Sequence, residues 1–418
     1  MTNYKLSRFG KKITEKSGIL ELMEDLGRAL KSASGDISML GGGNPAHIPE
    51  AEEIFHKTIR EIMANTSDLS SIFGDYDPPG GNAEFIRNLV DLLNTESGFN
   101  ITPDNVAVTS GSQTAFFLLF NLLAGEHEDG FRHVLFPMVP EYIGYADQGI
   151  FPDQFVSCRP LIHEMEGPFF KYNIDFDNLK ITDKTAAICV SRPTNPSGNV
   201  LTDTEIDRLL ELGRENNIPL IIDNAYGNPF PQLIFTEASF SWKPGMVLVF
   251  SLSKMGLPGL RTGIVVGDPE LIAALTSANA VLSLSNNNLG QAIASKLISN
   301  RQITRLSRDI IKPWYKQLSE QAIKLIQEEW QGINYKIHKS EGALFLWIWF
   351  PDLPVSTMEL YRILKTENVI IVPGEYFYPG FDDDWEHTRQ CIRINFAHPS
   401  MAKGIKNIGK SLKKLYKK

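Results

Sequence analysis

With 418 residues, the chain is long enough for a large core and for two domains. Its 43% hydrophobic and 22% charged residues describe a soluble globular protein, and a net charge of −8 argues against nucleic acid as a partner. No apolar run approaches the ~20 residues of a membrane span, the N-terminus lacks a signal-like apolar segment, and no Cys/His spacing resembles a zinc site. Cys158, Cys189 and Cys391 lie far apart, which suggests free thiols in a reducing, cytoplasmic compartment.

In chain order, residues 1 to 38 read as a polar arm. Within it Leu22, Met23, Leu26 and Leu30 recur at helical spacing. Met39 to Pro49 is a glycine-rich loop whose backbone can approach a ligand closely. Alternation of strand and helix signals begins with a strand at Asn105 to Thr109. The turn Ser110-Gly111-Ser112-Gln113 comes next, then an apolar helix, Thr114 to Leu123. A turn of this kind offers backbone N–H groups to an anion. Further strands are expected at His133 to Phe136, Ala186 to Val190, Leu220 to Asp223, Met246 to Phe250 and Ile264 to Val266. Helical patterns lie between several of them, one at Asp203 to Asn216 opening on a Thr202/Asp203 cap. This order predicts an α/β fold with a mainly parallel sheet.

From about residue 300 long polar helices (Ser307 to Gln331) precede strands at Leu344 to Phe350, Val369 to Val372 and Ile392 to Phe396. That pattern predicts a second, smaller α+β domain. The tail Lys403 to Lys418 places Ile405, Ile408, Leu412 and Leu415 on one helical face. It reads as a packed terminal helix and not as a membrane contact. The expected division is an N-terminal arm over 1–44, a large domain over 45–299 and a small domain over 300–418.

Three strand ends carry chemistry. Ser191 to Asn199, containing Asn195-Pro196, extends from one. Asp223-Asn224-Ala225-Tyr226 closes a second. Phe250-Ser-Leu-Ser-Lys254 closes a third, with Arg261 seven residues on. Strand ends are where open α/β sheets place ligands. A lysine held there out of water is a candidate for Schiff-base chemistry, and an arginine can fork onto a phosphate. Ser251-x-x-Lys254 also fits the serine–lysine pair of penicillin-binding enzymes. That reading needs the serine to open a helix, which this context does not offer.

From about Gly43 to Arg393 the sequence resembles the fold-type I pyridoxal 5′-phosphate (PLP) enzymes, class I/II aminotransferases. Asn-Pro, Asp-x-x-Tyr, Ser-x-Ser-Lys and a late arginine are all present. The resemblance implies that Lys254 holds PLP and moves the substrate proton, and that Asp223 pairs with the ring nitrogen. It implies further that Tyr226 and Asn195 reach the ring hydroxyl and that Tyr142 stacks on the ring. Gly111, Ser112, Gln113, Ser251, Ser253 and Arg261 would hold the phosphate, joined by Tyr76 from the other subunit of a homodimer. Arg393 would clamp the substrate carboxylate, with Asn195 and the backbone at Gly43. Ile19, in the apolar stretch ahead of the Gly-rich loop, is expected in a lid over the substrate side chain. The expected partners are small amino acids and 2-oxo acids. The reaction implied is reversible amino transfer between L-valine and pyruvate. C–S lyases and decarboxylases share the cofactor residues, so those residues do not discriminate. Regulators that use this fold as a sensor carry a DNA-binding segment ahead of it, and the residues before the loop here are not basic enough for one.

Overall fold

The computed structural model describes residues 4–14, 18, 20, 23–24, 27 and 37–417, apart from the side chains of residues 67 and 68. Ile19, Leu22, Leu26 and Leu30, on which the expected lid and arm helix depend, lie outside the described residues.

An eight-stranded sheet forms the centre. Its order is Val106–Thr109, Gly263–Val266, Met246–Ser251, Leu220–Asp223, Thr185–Ser191, Gly130–Phe136 and Gly125–His127, with Phe155–Ser157 also pairing with Gly130–Phe136. The strands from Met246–Ser251 to Gly130–Phe136 run parallel. Gly263–Val266 is antiparallel to both of its neighbours. All seven residues of Thr185–Ser191 and all six of Met246–Ser251 are buried. Such continuous apolar runs mark strands covered on both faces.

Side-chain alternation still sorts them. Val247 and Val249 pack with Ile221, Cys189, Val265, Phe116 and Phe120 on one face. Met246, Leu248 and Phe250 pack with Ile222, Ile188, Val190 and Ile264 on the other. The first face is covered by the helix Ser112–Leu123, whose Phe116 and Phe120 rings stand 5.5 Å apart. Asp203–Glu215 opens on a capping box, Thr202 accepting from Glu205 N–H at 3.2 Å while Glu205 reaches back to Thr202.

A second sheet of six strands runs Val372–Pro373, Cys391–Asn395, Phe345–Trp349, Lys336–His338, Phe169–Ile174 and Pro160–Glu164. Its last two strands form a hairpin from the middle of the chain, joined to the C-terminal strands through Ile337 beside Phe169. The sequence pattern predicts no strands there. The expected polar helix is Lys312–Glu329, entered through a π-helical turn at Ser307–Ile311. The terminal helix spans Met401–Leu415 and buries Ile405, Ile408 and Leu412. Among the described residues no helix is long and apolar enough to cross a membrane.

Candidate active site

Register brings the strand ends to one edge. Asp223 stands beside Ser191 on one neighbouring strand and Val249 on the other. Two residues past Val249 the chain reaches Ser251, which pairs with Gly263. A cleft opens above these ends. Its lining includes Ser112, Gln113, Tyr142, Asn195, Asp223, Tyr226, Ser251, Ser253, Lys254 and Arg261. Ten of the expected site residues therefore meet in one place.

Lys254 comes after the strand in a short 3-10 turn, where it cannot continue the ladder and projects into the cleft. Its Nζ donates to Gly43 O at 2.8 Å and lies 5.4 Å from the centre of the Tyr226 ring. The surrounding protein strips water from the amine, and Arg393 and Arg261 oppose a further positive charge. Together they hold its pKa down at about 8, against a pull upward from Asp223. A sizeable neutral fraction near neutral pH makes this amine a usable nucleophile and base.

Asp223 Oδ2 accepts from the Tyr145 hydroxyl at 2.6 Å, and Oδ1 accepts from Ala225 N–H at 2.9 Å. Desolvation raises its pKa, while these two donors and Lys254 work the other way. This carboxyl group lines the cleft.

Across the cleft, Arg393 comes from the second sheet, where it sits between Trp347 and Val372. It is buried, and desolvation lowers its pKa to about 10, so it stays charged at neutral pH. Nη1 donates to Asn195 Oδ1 at 2.7 Å and Nη2 to Gly41 O at 2.6 Å. Nε is buried with no hydrogen-bond partner among the described residues. The guanidinium lies over the Phe345 ring, 4.0 Å from its centre, with the Phe377 ring at 5.2 Å. Asn395 donates to Gly42 O at 2.8 Å. Three successive glycine carbonyls, Gly41, Gly42 and Gly43, are thus gripped by Arg393, Asn395 and Lys254. The loop joins the two sheets across the site.

Gly111 has φ +90 and precedes the first turn of Ser112–Leu123. A Cβ there would lie 2.2 Å from Arg261 Nη2. Arg261 itself takes a left-handed backbone, φ +44. The early N–H groups of a helix have no intrahelical partner. Together with Ser251, Ser253 and the Arg261 guanidinium they make a cradle suited to a phosphate. This donor set, the carboxylate of Asp223 and the amine of Lys254 fit PLP.

Tyr76 does not line the cleft and is 81% exposed. Its segment is tied down: Asn288 donates to Asp75 O at 3.0 Å, and Asn279 and Asn286 to Pro79 O. Tyr145 and Glu141 were not singled out from the sequence. Their only signal was acidic and phenolic residues flanking Tyr142 in Pro-Glu-Tyr-Ile-Gly-Tyr.

The model of the family aminotransferase class I and II matches residues 49–404. The valine–pyruvate aminotransferase of Escherichia coli (strain K12) is 47% identical over 391 residues, covering 93% of each chain. The crystal structure of valine–pyruvate aminotransferase from Salmonella typhimurium LT2 superposes with a TM-score of 0.88 at 43% identity, covering 96% of this chain and all of that one. The α-aminoadipate aminotransferase from Thermus thermophilus, complexed with N-(5′-phosphopyridoxyl)-L-leucine, shares the fold at a TM-score of 0.78 and 22% identity, covering 99% of this chain and 98% of that one.

Proposed function

The chain belongs to the class I and II aminotransferases, and we propose that it moves an amino group reversibly between L-valine and pyruvate, giving 2-oxoisovalerate and L-alanine. It is a PLP-dependent aminotransferase acting on amino acids and 2-oxo acids. The observation that carries the choice of substrates is the 47% identity, sustained over 93% of the chain, to an enzyme named for them. The bound cofactor supplies an electron sink for the amino-transfer chemistry.

In this reading Lys254 anchors the cofactor and shuttles the proton at the substrate Cα, a task suited to an amine with a pKa of about 8. Asp223 holds the ring nitrogen. Tyr226 and Asn195 orient the ring hydroxyl, and Tyr142 covers the ring face. Gly111, Ser112, Gln113, Ser251, Ser253 and Arg261 hold the phosphate. Arg393 clamps the α-carboxylate, with Asn195 and the Gly43 backbone beside it.

Aromatic rings flank Arg393, and the basic residues in the described cleft lining are Lys254 and Arg261. That environment suits a substrate with one carboxylate and an apolar side chain. A lid that includes Ile19 would be carried by the arm over 1–44. Gly18 packs on Tyr376, where a Cβ would lie 2.5 Å from Cδ1, next to the Phe377 that flanks Arg393. The arm and residues 300–418, with the hairpin Pro160–Glu164/Phe169–Ile174 added to their sheet, form the small domain. It faces the large domain, which is the rest of 45–299. Tyr76 serves the partner's phosphate in a homodimer.

The test is a matrix of amino acids against 2-oxo acids. L-Valine with pyruvate should be among the best pairs, and isoleucine or 2-aminobutyrate should come within ~10–200-fold, the discrimination that one methylene permits. Preference for aspartate or glutamate over valine, or release of free ammonia in place of an aminated acceptor, would overturn the reading.

A further inference from the structure

Behind the cleft floor lies a second carboxylate to which no part of that chemistry assigns a role. Glu141 is 1% exposed. Its Oε1 accepts from Ser191 N–H at 2.9 Å, and its Oε2 lies 2.5 Å from Ser191 Oγ. Ser191 Oγ is also 3.4 Å from the Tyr145 hydroxyl, and Tyr145 donates to Asp223 Oδ2 at 2.6 Å. Four side chains from three segments therefore form one chain, Glu141–Ser191–Tyr145–Asp223.

The direction of this chain depends on one proton. Tyr145 commits its single O–H to Asp223, so its oxygen can only accept from Ser191. Ser191 also has a single O–H. If Glu141 is ionised, Ser191 donates to it and the Tyr145 oxygen receives nothing. If Glu141 is protonated, it donates to Ser191, Ser191 to Tyr145, and Tyr145 to Asp223. Every donor then points at Asp223.

The surroundings select the second arrangement. The titratable groups that face Glu141 are Tyr145 from its own segment, Cys189 from the strand Thr185–Ser191 and Asp223 from the next strand. All are acids. Lys254, the cation that acts on Asp223, stands on the cleft side. Two carboxylates in one desolvated cluster do not both ionise readily, and the one nearer the cation keeps the charge. Burial pushes the Glu141 carboxyl up to about 8, which agrees with this assignment.

We propose that Glu141 is a positioning residue, a neutral acid that directs the hydroxyls of Ser191 and Tyr145 onto Asp223 and so keeps Asp223 the one anion under the cofactor's ring nitrogen. The inference rests on the role of Asp223 proposed for the ring nitrogen. The chain is a set of hydrogen bonds; no bond to carbon forms or breaks along it.

The test uses PLP-loaded enzyme and two readouts, kcat and the pH midpoint of the cofactor's visible absorption band. Glu141→Gln never ionises, keeps an N–H donor for Ser191 Oγ and a carbonyl for Ser191 N–H, and should stay within about threefold of wild-type kcat. Glu141→Leu, Ser191→Ala and Tyr145→Phe each cut the chain. Each should lower kcat about tenfold and move the midpoint by about 0.7 pH unit, the scale of one hydrogen bond. Glu141→Leu and Tyr145→Phe combined in one chain should cost no more than either alone.

Additive losses, or a wild-type midpoint in Glu141→Leu, would overturn the proposal. So would Glu141→Gln being as impaired as Glu141→Leu. Should Glu141→Leu fail to fold, Ser191→Ala decides alone, because it cuts the same chain with little change of volume. Asp223→Asn separates the two levels. Lost turnover there, with unmoved midpoints in the other variants, overturns only the role of Glu141. Full turnover there overturns the role of Asp223 and this inference with it.

Discussion

Arg393 is placed to recognise one chemical group. Its charge is buried, its aromatic neighbours exclude water, and Nη1 and Nη2 already lie in a fork aimed at two oxygens, Asn195 Oδ1 and Gly41 O. A planar fork suits a carboxylate in a way that a lysine ammonium does not. Arg393→Lys should keep the charge and lose the bidentate geometry. The expected result is a ~10–100-fold fall in kcat/KM for every amino acid, valine and alanine alike, since charged hydrogen bonds are worth about 1.5–3 kcal/mol. The cofactor band should not change. A loss confined to valine would move Arg393 out of carboxylate binding and into the side-chain pocket.

At the scale of the element, the helix Ser112–Leu123 carries the phosphate cradle. Its entry depends on Gly111, because φ +90 excludes L side chains and a Cβ would meet the Arg261 guanidinium. The guanidinium ends a flexible side chain and can move aside. Gly111→Ala should therefore leave the helix and fold intact, at a cost of about 1–3 kcal/mol in backbone strain. It should displace Arg261 and weaken PLP binding to the apoprotein at least tenfold, read by fluorescence titration. Unchanged PLP affinity with an intact fold would remove this turn from phosphate binding.

For the whole molecule, one surface stands out. Phe73, Tyr76, Leu282 and Leu284 are exposed, and Val281 is 91% exposed. They lie on two segments held together by Asn279, Asn286 and Asn288. Exposed apolar side chains on adjoining segments suit an interface. This is the face that supports the proposed homodimer, and a two-fold pairing would present the same ridge from both copies. Val281→Asp should raise the dissociation constant at least tenfold in sedimentation velocity, and PLP occupancy should fall with it as Tyr76 leaves the partner's site. A wild-type protein that is monomeric and fully active at assay concentration would exclude the arrangement.

The sequence alone determined which polar residues stand at the sheet edge, because each strand end is a local signal. A buried apolar strand must stop, and the polar residues at or just beyond its end, Asp223, Lys254 or Asn195, stand at the sheet edge. Strands such as Leu220–Asp223 and Met246–Ser251, and the capped helix Asp203–Glu215, were legible for the same reason: period and cap are short-range signals. Tertiary structure decided what depends on distant partners. The hairpin Pro160–Glu164/Phe169–Ile174 joins a sheet completed by strands beyond residue 330, which no local pattern specifies. The antiparallel placing of Gly263–Val266 between two strands, and the grip of Arg393, Asn395 and Lys254 on three glycine carbonyls, are equally non-local. Glu141 is the sharpest case. In sequence it is an acid beside a tyrosine; only folding puts it out of water and 2.5 Å from a serine that stands in register with Asp223.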